Sequence, residues 1–513
     1  TDFDGNYSLT IDDPDAILQF SYVGYVTQEI EVGNQTIINV KLLPDNAKLD
    51  EVVVVGYGTQ KKSDVTGSVT SVAQERLDLV PNRNIAQVLQ GALPGVTIRQ
   101  TTAGAVGEQT IIVRGRNSIL ASNDPLIVLD GVPYYGDLND ISVNDIASLE
   151  VLKDASASAI YGSRGSNGVI LVTTKAGVKG KTKINYQGKY GIQEPINLPV
   201  FLTGREFYDF KSTRNAELLT DTEIANYEAG LETDWIDLSL RTGYTQSHNI
   251  SMTGGSDNTK YYIGGNFLDV QGLSVTDQYQ RISGRVNIDT KITDWLDFGT
   301  RSQFTYDDRG GYNIDYEAVF EINPLLANPF DENGDINLFP WPEFPDENPL
   351  EAENYEDEDY SNQIVSNNYI NVTFPFLKGL NYRLNTGIRR RWSERKTYAG
   401  SNTVVGIANS GYAYLSSTEF KNNVVENILT YNKEFGKHNV FVTGVYSYEE
   451  NEQYFEELTA INFPNDEFTY FGISQASSIE SQNDYQRTAL ISQMLRLNYS
   501  FNNTYLLTLT GRR

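Results

Sequence analysis

The chain has 513 residues, with 40 Lys and Arg against 67 Asp and Glu, which gives a formal net charge of −27. Because phosphate binding needs a basic surface, this charge argues against nucleic acid as a partner. The absence of cysteine excludes a disulfide framework and thiolate metal sites. With His248 and His438 as its two histidines, the chain is also poorly suited to imidazole catalysis and multi-histidine metal sites. Many tyrosines and the lack of a long apolar run favour a mainly β protein, with an outer-membrane barrel as one form of it.

Residues 1–47 are predicted to form a small β-sandwich that lacks its first residues. Apolar segments such as AILQFSYVGY and TQEIEV are separated by turns, and Asp4-Gly5 is a hairpin signal. The segment DFDGN also has the alternating carboxylates of a calcium loop. It lacks the distal Glu of such a loop, so the turn is the preferred interpretation.

Residues 48–65 contain the segment LDEVVVVGYGTQKK. Its four consecutive valines are β-branched and favour an extended chain. A short apolar run between turn residues is typical of a buried core strand. An exposed strand that pairs with another chain is the alternative.

Residues 66–180 have the pattern of an α/β domain. The segment NIAQVLQGALPGV predicts a helix that ends at Pro94-Gly95. The apolar residues on one face of this helix are Ile85, Val88, Leu89 and Leu93. Strands are predicted at TIIVRG, PLIVLDGVP, SLEVLKD and GVILVTTK. The glycine-rich segment Gly162–Gly168 leads from helix to strand, the reverse of a phosphate-binding loop, and is interpreted as a tight connection.

Residues 181–513 alternate apolar and polar side chains, as in KINYQGKYGI and RISGRVNIDT. This period of two predicts strands with one apolar and one polar face. The residues expected to face lipid are Ile184, Tyr186, Ile282, Val286, Ile288, Leu296 and Phe298. A register change of one residue would place Arg281, Arg285 and Asp289 in hydrocarbon instead.

The connections between these strands alternate in length. Short turns are predicted near 256–259, 291–295, 377–380, 433–437 and 502–503, and long polar excursions at 306–363, 391–420 and 449–485. Short turns at one rim and long loops at the other are typical of an outer-membrane barrel. About eleven strands fit, whereas closed single-chain bacterial barrels have even numbers, so we interpret this region as part of a large antiparallel barrel. We expect a chain that lacks both ends of the whole protein.

The longest excursion is acidic and rich in aromatic residues, and it has no Lys or Arg between Gly310 and Leu377. Trp341, Phe344 and Tyr355 are candidates for contact with a substrate or a protein lid. A solvated loop is the preferred alternative. The segment DENGDIN is a weak calcium candidate through Asp331, Asn333 and Asp335, and otherwise no cofactor or metal is expected.

Several segments together resemble the SusC/RagA family of TonB-dependent outer-membrane transporters of Bacteroidota. They are DEVVVVGYGTQKKSDVTGSV, LQGALPGV, VRGRNS, DPLIVLDGVP and IASLEVLKDASASAIYGSRGSNGVILVTTKAG. The start of the chain is similar to the carboxypeptidase-regulatory-like domain that precedes the plug in this family. The resemblance implies that residues 1–47 are that domain, 48–65 the TonB box and linker, 66–180 the plug and 181–513 part of a transmembrane barrel. It also implies an outer-membrane location, with the first domain and the TonB box in the periplasm and the long loops of the barrel outside the cell.

The resemblance also implies site residues. The TonB-binding segment would be Asp50, Glu51, Val52, Val53, Val54, Val55, Gly56, Tyr57 and Gly58. The matching plug motifs contain Arg114, Gly115, Asp130, Gly131, Lys153, Asp154, Tyr161, Gly162 and Arg164. Charged residues inside a barrel need partners, so buried or lumenal positions with partners are expected for Arg114, Arg116, Lys153 and Arg164.

The function implied by the resemblance is active import across the outer membrane. TonB with its ExbB/ExbD motor would supply the work, a SusD-like surface lipoprotein would form a lid, and the cargo would be an oligosaccharide or oligopeptide. The sequence does not choose between these cargoes. An adhesion or secretion-associated barrel is the alternative function. An enzyme is not expected, because the first domain has no histidine and no recognisable metal-binding set.

Overall fold

The protein is described here by a computed structural model. The residues it describes are 7–11, 13, 16–20, 27–33, 35–42, 52–54, 59–61, 69–72, 85–100, 104–107, 109–120, 122–154, 158–325, 328–344, 346–502 and 504–513. The chain divides into two compact units, Thr1–Thr66 and Gly67–Arg513. Among the described residues, no helix has the length and apolar character needed to cross a membrane.

The first unit contains two antiparallel strand pairs among its described residues. Strand β1 (Ile17–Phe20) pairs with β2 (Gln28–Glu31), and the edge of the Tyr7 ring packs against Phe20. Strand β3 (Val52–Val54) pairs with β4 (Thr59–Lys61). The predicted turn at Asp4-Gly5 lies outside the described residues.

The predicted plug contains a five-stranded sheet, a separate two-stranded hairpin and a helix beside the sheet. Its strands are β5 (Val69–Ser71), β6 (Val96–Gln100), β7 (Gln109–Val113), β8 (Leu126–Leu129), β9 (Val132–Tyr134), β10 (Ile146–Leu152) and β11 (Val169–Thr174). The sheet order is β5-β10-β11-β8-β9, and β6 and β7 form a separate hairpin. Helix α1 (Ile85–Leu89) buries the apolar face that the sequence predicts, and Leu93 beyond it is buried as well. These residues pack with Leu149 and Val172 of the sheet in one core.

An antiparallel sheet of eleven strands, which we call the wall, forms the rest of the second unit. The strands are β12 (Gly180–Gln193), β13 (Gly243–Gly255), β14 (Thr259–Gln271), β15 (Gln278–Thr293), β16 (Leu296–Asp308), β17 (Glu356–Thr373), β18 (Leu380–Ala399), β19 (Tyr412–Phe435), β20 (His438–Ile461), β21 (Ser478–Phe501) and β22 (Tyr505–Arg512). Each strand pairs with its neighbour in the chain. The predicted mainly β fold, with plug and partial barrel sheet, is confirmed.

The two faces of the wall differ as the alternation predicts. On β15, Ile282 and Val286 are exposed, whereas Arg281 and Arg285 are buried. Among the other residues predicted to face lipid, Ile184 and Tyr186 are exposed, and Ile288, Leu296 and Phe298 are partly buried. The polar face of the wall therefore turns towards the plug, and the apolar face turns away from it.

Five short connections lie at one edge of the wall and five others at the opposite edge, which we call the rim. The rim connections are residues 194–242, 272–277, 309–355, 400–411 and 462–477. The prediction of long loops at 391–420 and 449–485 is wrong in extent. Strand β18 continues to Ala399 and β19 begins at Tyr412, while β20 continues to Ile461 and β21 begins at Ser478. The polar, charged sequence there belongs to paired strands, and sequence polarity alone does not separate such strands from loops. The excursion at 194–242 was not predicted.

Two of these connections fold together into what we call the rim unit, residues 194–242 and 309–355. It contains helices α2 (Gly204–Asn215), α3 (Asp221–Ala229), α4 (Trp235–Ser239) and α5 (Tyr316–Glu321). Trp235, Ile314 and Leu350 are buried in its apolar core. The preferred interpretation of the long excursion as a solvated loop is therefore wrong for its apolar residues, which share a buried core. Acidic residues interrupt these apolar positions in the sequence, so no periodic pattern indicates the core. Helix α6 (Val404–Asn409) lies in the next rim connection.

Candidate functional site

The candidate site is the polar interface between the plug and the wall. Three acidic plug residues, Asp130, Asp140 and Asp145, lie against it with side chains that are almost completely buried. A buried carboxylate is costly unless charges and hydrogen bonds compensate it. The wall supplies such partners in two clusters, and in a third cluster a wall carboxylate pairs with a plug arginine.

The first cluster surrounds Arg285 of β15, whose side chain is 1% exposed. Its guanidinium lies 3.8 Å from Asp130 Oδ2 and 3.6 Å from Asp145 Oδ2. Asp130 follows β8 with a left-handed backbone (φ 51°), and Thr174 donates its backbone N–H to Asp130 Oδ1 at 2.8 Å. One wall arginine thus bridges two plug carboxylates from different loops.

Neighbouring wall strands complete the shell of Asp145. The Tyr262 hydroxyl donates to Asp145 Oδ1 at 2.8 Å, and Asn266 Nδ2 donates to Asp145 Oδ2 at 3.0 Å. Asn287 donates to the Lys175 carbonyl oxygen at 2.7 Å. Side chains from β14 and β15 therefore hold both the acidic residue and the segment that leaves β11.

The second cluster surrounds Asp140, near the end of a short 3-10 helix, Leu138–Asp140. The Tyr134 hydroxyl donates to Asp140 Oδ2 at 2.9 Å, and Gln363 Nε2 donates to the Tyr134 hydroxyl at 3.0 Å. Arg389 Nε donates to Gln363 Oε1 at 2.6 Å, and the Arg389 guanidinium lies 5.4 Å from the centre of the Tyr134 ring. Burial, followed by the Asp140 charge, raises the pKa of Tyr134 well above its ordinary value. The hydroxyl is thus held in its neutral, donating form.

The third cluster joins Arg164 and Tyr135 of the plug to Glu449 of β20. Arg164 forms an ion pair with Glu449 and donates to the Tyr135 hydroxyl at 2.8 Å. The Tyr135 hydroxyl also donates to Glu449. The Arg164 side chain is 19% exposed and that of Glu449 is 6% exposed, so this is a largely buried pair. The prediction that Arg164 has a partner inside the wall agrees with this geometry.

The other predicted plug residues lie apart from these clusters. Arg114 and Arg116 are both exposed, so neither is buried, and whether they face the lumen stays a prediction. Both follow β7 on a loop that does not enter the core. Arg114 pairs with Asp154, which gives it the expected carboxylate partner. Lys153 donates to the Pro94 carbonyl oxygen at 2.5 Å, which gives it the expected partner.

Three predicted glycines and one tyrosine have conformational or packing roles in the plug. Gly115, Gly131 and Gly162 have positive φ angles of 106°, 87° and 66°. Such angles suit glycine because a side chain would strain the backbone. Tyr161 is buried beside Gly162. Next to them, Arg512 of β22 donates to the Ile160 carbonyl oxygen, a further plug–wall contact.

The predicted TonB-binding segment is described only in part. Val52, Val53 and Val54 form β3, whose backbone pairs with β4. The remaining predicted residues lie outside the described residues: Asp50, Glu51, Val55, Gly56, Tyr57 and Gly58. The role of the segment stays a prediction.

The aromatic candidates at the rim have structural contacts. Trp341 packs against the core of the rim unit, 4.5 Å from the exposed Phe344 ring, and Tyr355 stacks on Tyr312 at 4.0 Å. Asp331 Oδ1 accepts backbone N–H groups of Asn333 and Asp335, a self-contained turn. Among the described residues, no group of three or more potential ligands is arranged to hold a metal ion.

The functional partners that the sequence did not indicate are the wall residues Arg285, Gln363, Arg389 and Glu449. The inward position of Arg285 follows from the alternation, since it shares a face with Arg281 and Asn287. Gln363 and Glu449 lie at the ends of predicted excursions, where no strand face was assigned. The plug partners of these wall residues cannot be predicted from the sequence. Arg164 and Glu449 are 285 positions apart, and a contact over such a separation leaves no local sequence pattern.

Comparison with known proteins gives the same organisation. Residues 61–169 match the TonB-dependent receptor plug domain, and residues 1–54 match the CarboxypepD_reg-like domain. TonB-dependent receptor P3 of Formosa agariphila is 35% identical over 528 residues, covering 100% of this chain and 51% of the relative. TonB-dependent receptor SusC of Bacteroides thetaiotaomicron is 32% identical over 554 residues, covering 100% of this chain and 53% of the relative.

The fold is similar to that of the RagAB peptide importer in its open-open state, with a TM-score of 0.79 and 25% identity. This match covers 90% of the chain and 56% of the importer chain. Plug and wall together are similar to those of TonB-dependent receptors. Along its whole length the chain is similar to SusC-like members of that class, which confirms the resemblance predicted from its motifs. The chain spans about half the length of the curated relatives it matches.

Proposed function

We propose that this protein imports a nutrient across the bacterial outer membrane, driven by TonB and its ExbB/ExbD motor. A SusD-like surface lipoprotein would act as the lid, and the cargo would be an oligosaccharide or an oligopeptide. Similarity to the RagAB peptide importer supports a peptide as one cargo class, and similarity to the TonB-dependent receptor SusC supports the dependence on TonB.

The observation that carries this proposal is the polar character of the plug–wall interface. Arg285, Asp145 and Glu449 belong to hydrogen-bonded clusters that join plug and wall. Water can replace polar partners one at a time, whereas an apolar interface would lose its burial on separation. An interface of this kind suits a plug that is held in place at rest and rearranged under force.

Force would enter through the valine strand. Strand addition uses backbone N–H and C=O groups, and here those of Val52–Val54 already pair with Thr59–Lys61. We propose that TonB takes the place of this internal partner. An outer membrane has no ATP, so a tether of this kind would be the route by which work reaches the plug.

The test compares Val53→Pro with Val53→Ala in cells that depend on the receptor for growth on its nutrient. Proline removes the backbone donor and fixes φ, so Val53→Pro should abolish uptake and leave surface binding intact. Val53→Ala keeps the backbone groups and serves as the matched control, with a much milder effect expected. Receptor abundance is measured by immunoblot.

Normal uptake by Val53→Pro would reject the role of the valine strand. Equal loss of binding and uptake at unchanged abundance would reject it too, because the defect would then lie in substrate capture. Mass spectrometry of material that co-purifies with the intact receptor would separate glycan from peptide cargo.

A further inference from the structure

Another contact between the plug and the wall lies at the rim, away from the three clusters. The plug segment Gly104–Gly107 packs beneath the rim connection 272–277. Ala105 is buried in a small apolar cluster with Leu268, Val270 and Tyr279 of the wall. The plug thus reaches the strand ends that carry this connection.

The contact is fixed by one carboxylate. The Ala105 backbone N–H donates to Asp277 Oδ2 at 2.6 Å. The connection is shaped around this side chain, because a Cβ atom on Gly272 would lie 1.8 Å from the same oxygen. Gly272 also donates its backbone N–H to the Asp277 carbonyl oxygen at 2.9 Å, which closes the turn.

The other side of the same connection joins the rim unit. Val275 donates its backbone N–H to the Ser239 carbonyl oxygen at 3.2 Å, and its side chain packs against the core that contains Trp235. Arg241 donates to the Asp277 carbonyl oxygen at 2.7 Å. Asp277 therefore binds the plug through its side chain and the rim unit through its backbone.

We propose that Asp277 is a positioning residue that couples the plug to the rim unit, and that the plug segment Gly104–Gly107 separates from it during transport. The coupling is a property of the resting protein, whereas the separation rests on the proposed import function. When the plug is seated, the carboxylate holds the connection 272–277 in the shape on which α4 packs. When the plug segment leaves, the carboxylate loses its Ala105 partner and the packing surface for α4 changes.

Coupling is tested by amide hydrogen exchange on the intact protein purified from membranes. Asp277→Ala removes the acceptor, and Asp277→Asn keeps a neutral, weaker one. The matched control is Asp294→Ala, which removes an exposed aspartate from a turn at the opposite edge of the wall. Exchange is read for the plug segment 104–107 and for the rim residues 235–241.

Both segments should exchange about tenfold faster in Asp277→Ala, less so in Asp277→Asn, and unchanged in Asp294→Ala. Faster exchange of the plug segment with unchanged exchange of α4 would overturn the coupling, since a merely local role would give that result. Unchanged exchange in both segments would overturn it as well. This readout does not depend on uptake.

Separation is tested by a disulfide cross-link between two introduced cysteines. These 513 residues contain no cysteine, and any cysteine elsewhere in the receptor is replaced first. Gly104→Cys is combined with Asp277→Cys, because a Cβ atom on Gly104 would lie 3.9 Å from Asp277 Cγ. The control pair, Thr259→Cys with Thr290→Cys, joins two wall strands whose hydroxyl oxygens are 3.3 Å apart.

Oxidation should lower uptake in the first pair relative to the same pair after reduction, a comparison in which the loss of Asp277 is common to both states, and should leave the control pair unaffected. Uptake that survives complete cross-linking of the first pair would overturn the separation. If the unmodified protein takes up no nutrient, the proposed function fails, and the exchange experiment still decides the coupling.

Discussion

At the level of single residues, the plug is held by charges that are paired across a long stretch of chain. Arg285 forms ion pairs with both Asp130 and Asp145, and Arg164 forms an ion pair with Glu449. Removing one member of such a pair leaves the other buried and uncompensated, which costs more than the intact pair contributes. The clusters therefore give position and specificity rather than large stability.

Arg164→Ala should loosen the seated plug, because Glu449 would remain buried without its cation. We expect a loss of about 3 kcal/mol in plug stability and increased passive influx of an antibiotic that the outer membrane normally excludes. Adding Glu449→Gln to this variant removes the stranded charge and should restore much of the seal. Influx is measured at equal receptor abundance.

The matched control for this prediction is Arg487→Ala. Arg487 also pairs with a glutamate, Glu450, but its side chain is 56% exposed and makes no described contact with the plug. Water can replace much of the contact that the exposed Arg487 makes with Glu450, whose own side chain is 14% exposed, so influx should stay near the level of the unmodified receptor. Equal influx in Arg164→Ala and Arg487→Ala would contradict the role assigned to the third cluster.

Tyr134 should make plug stability depend on alkaline pH. Its pKa is raised in the folded protein by burial and by Asp140, so the folded state favours the neutral hydroxyl. This stabilisation is complete below the ordinary tyrosine pKa of about 10 and is lost as the pH rises above it.

Tyr134→Phe removes both the hydrogen bond and this titration. We expect the variant to be about 2 kcal/mol less stable at neutral pH. The difference from the unmodified protein should shrink above pH 10, as measured by hydrogen exchange of the plug. A constant difference across the alkaline range would show that the hydroxyl does not titrate as inferred.

The burial of a side chain could be predicted where it depends on the neighbouring sequence. The helical spacing of Ile85, Val88 and Leu89 gives the buried face of α1 correctly. Arg114 and Arg164 both belong to predicted plug motifs, yet Arg114 is exposed and pairs with Asp154 of the plug, whereas Arg164 is largely buried and pairs with Glu449 of the wall. Their difference depends on which loop faces the wall, which is a tertiary property without a local pattern.

At the level of secondary structure, the wall strands each have one polar and one apolar face, and the register fixes which is which. A cysteine at Val286 should place a spin label in lipid, and a cysteine at Asn287 should place it against the plug. The expected result is strong relaxation by oxygen at Val286 and restricted motion at Asn287. The same accessibility at both positions would contradict the register.

A charge on the outer face should be costly at the same site. Val286→Arg is expected to destabilise insertion by about 2–4 kcal/mol if the position lies near the bilayer midplane. Val286→Ala, which changes size and not charge, is the matched control. Folding is followed by the mobility shift of the unheated protein in gel electrophoresis.

Strand positions were predicted well and strand ends were not. The turn between Gly255 and Thr259 lies where the sequence indicates it, because Ser, Asp and Asn mark a tight turn. Strands β18 to β21 extend much further at the rim than predicted. Outside a bilayer both faces of a strand can be polar, and the alternation that reveals a strand then disappears.

At the level of the whole molecule, two rim connections far apart in sequence fold as one unit. Lys211 Nζ donates to Glu223 Oε1 at 2.7 Å, and Asn323 from the other connection donates to the same carboxylate. Asn226 Nδ2 donates to the Leu325 carbonyl oxygen at 2.5 Å. The partners of the acidic excursion lie about 100 positions away in the sequence, so the excursion by itself shows no periodic pattern and resembles a loop.

Trp235→Ala should open this unit without disturbing the wall. Loss of a buried tryptophan costs about 3–5 kcal/mol, enough to expose 309–355 to protease added to intact cells. Phe344→Ala, at an exposed side chain of the same unit, is the control and should stay resistant. Cleavage only after the periplasm is opened would contradict the extracellular position that the long connections predict for the rim.

The unequal strand lengths of the wall make its two sides mechanically different. Strands β19, β20 and β21 have 24 residues each, whereas β13, β14 and β16 have 13. At about 3.3 Å per residue, the long strands exceed the short ones by roughly 36 Å. Continuous backbone ladders stiffen the tall side, while side-chain packing holds the folded rim unit above the short side. A load applied at the rim would therefore bend the short side first, and that is the side where Asp277 meets the plug.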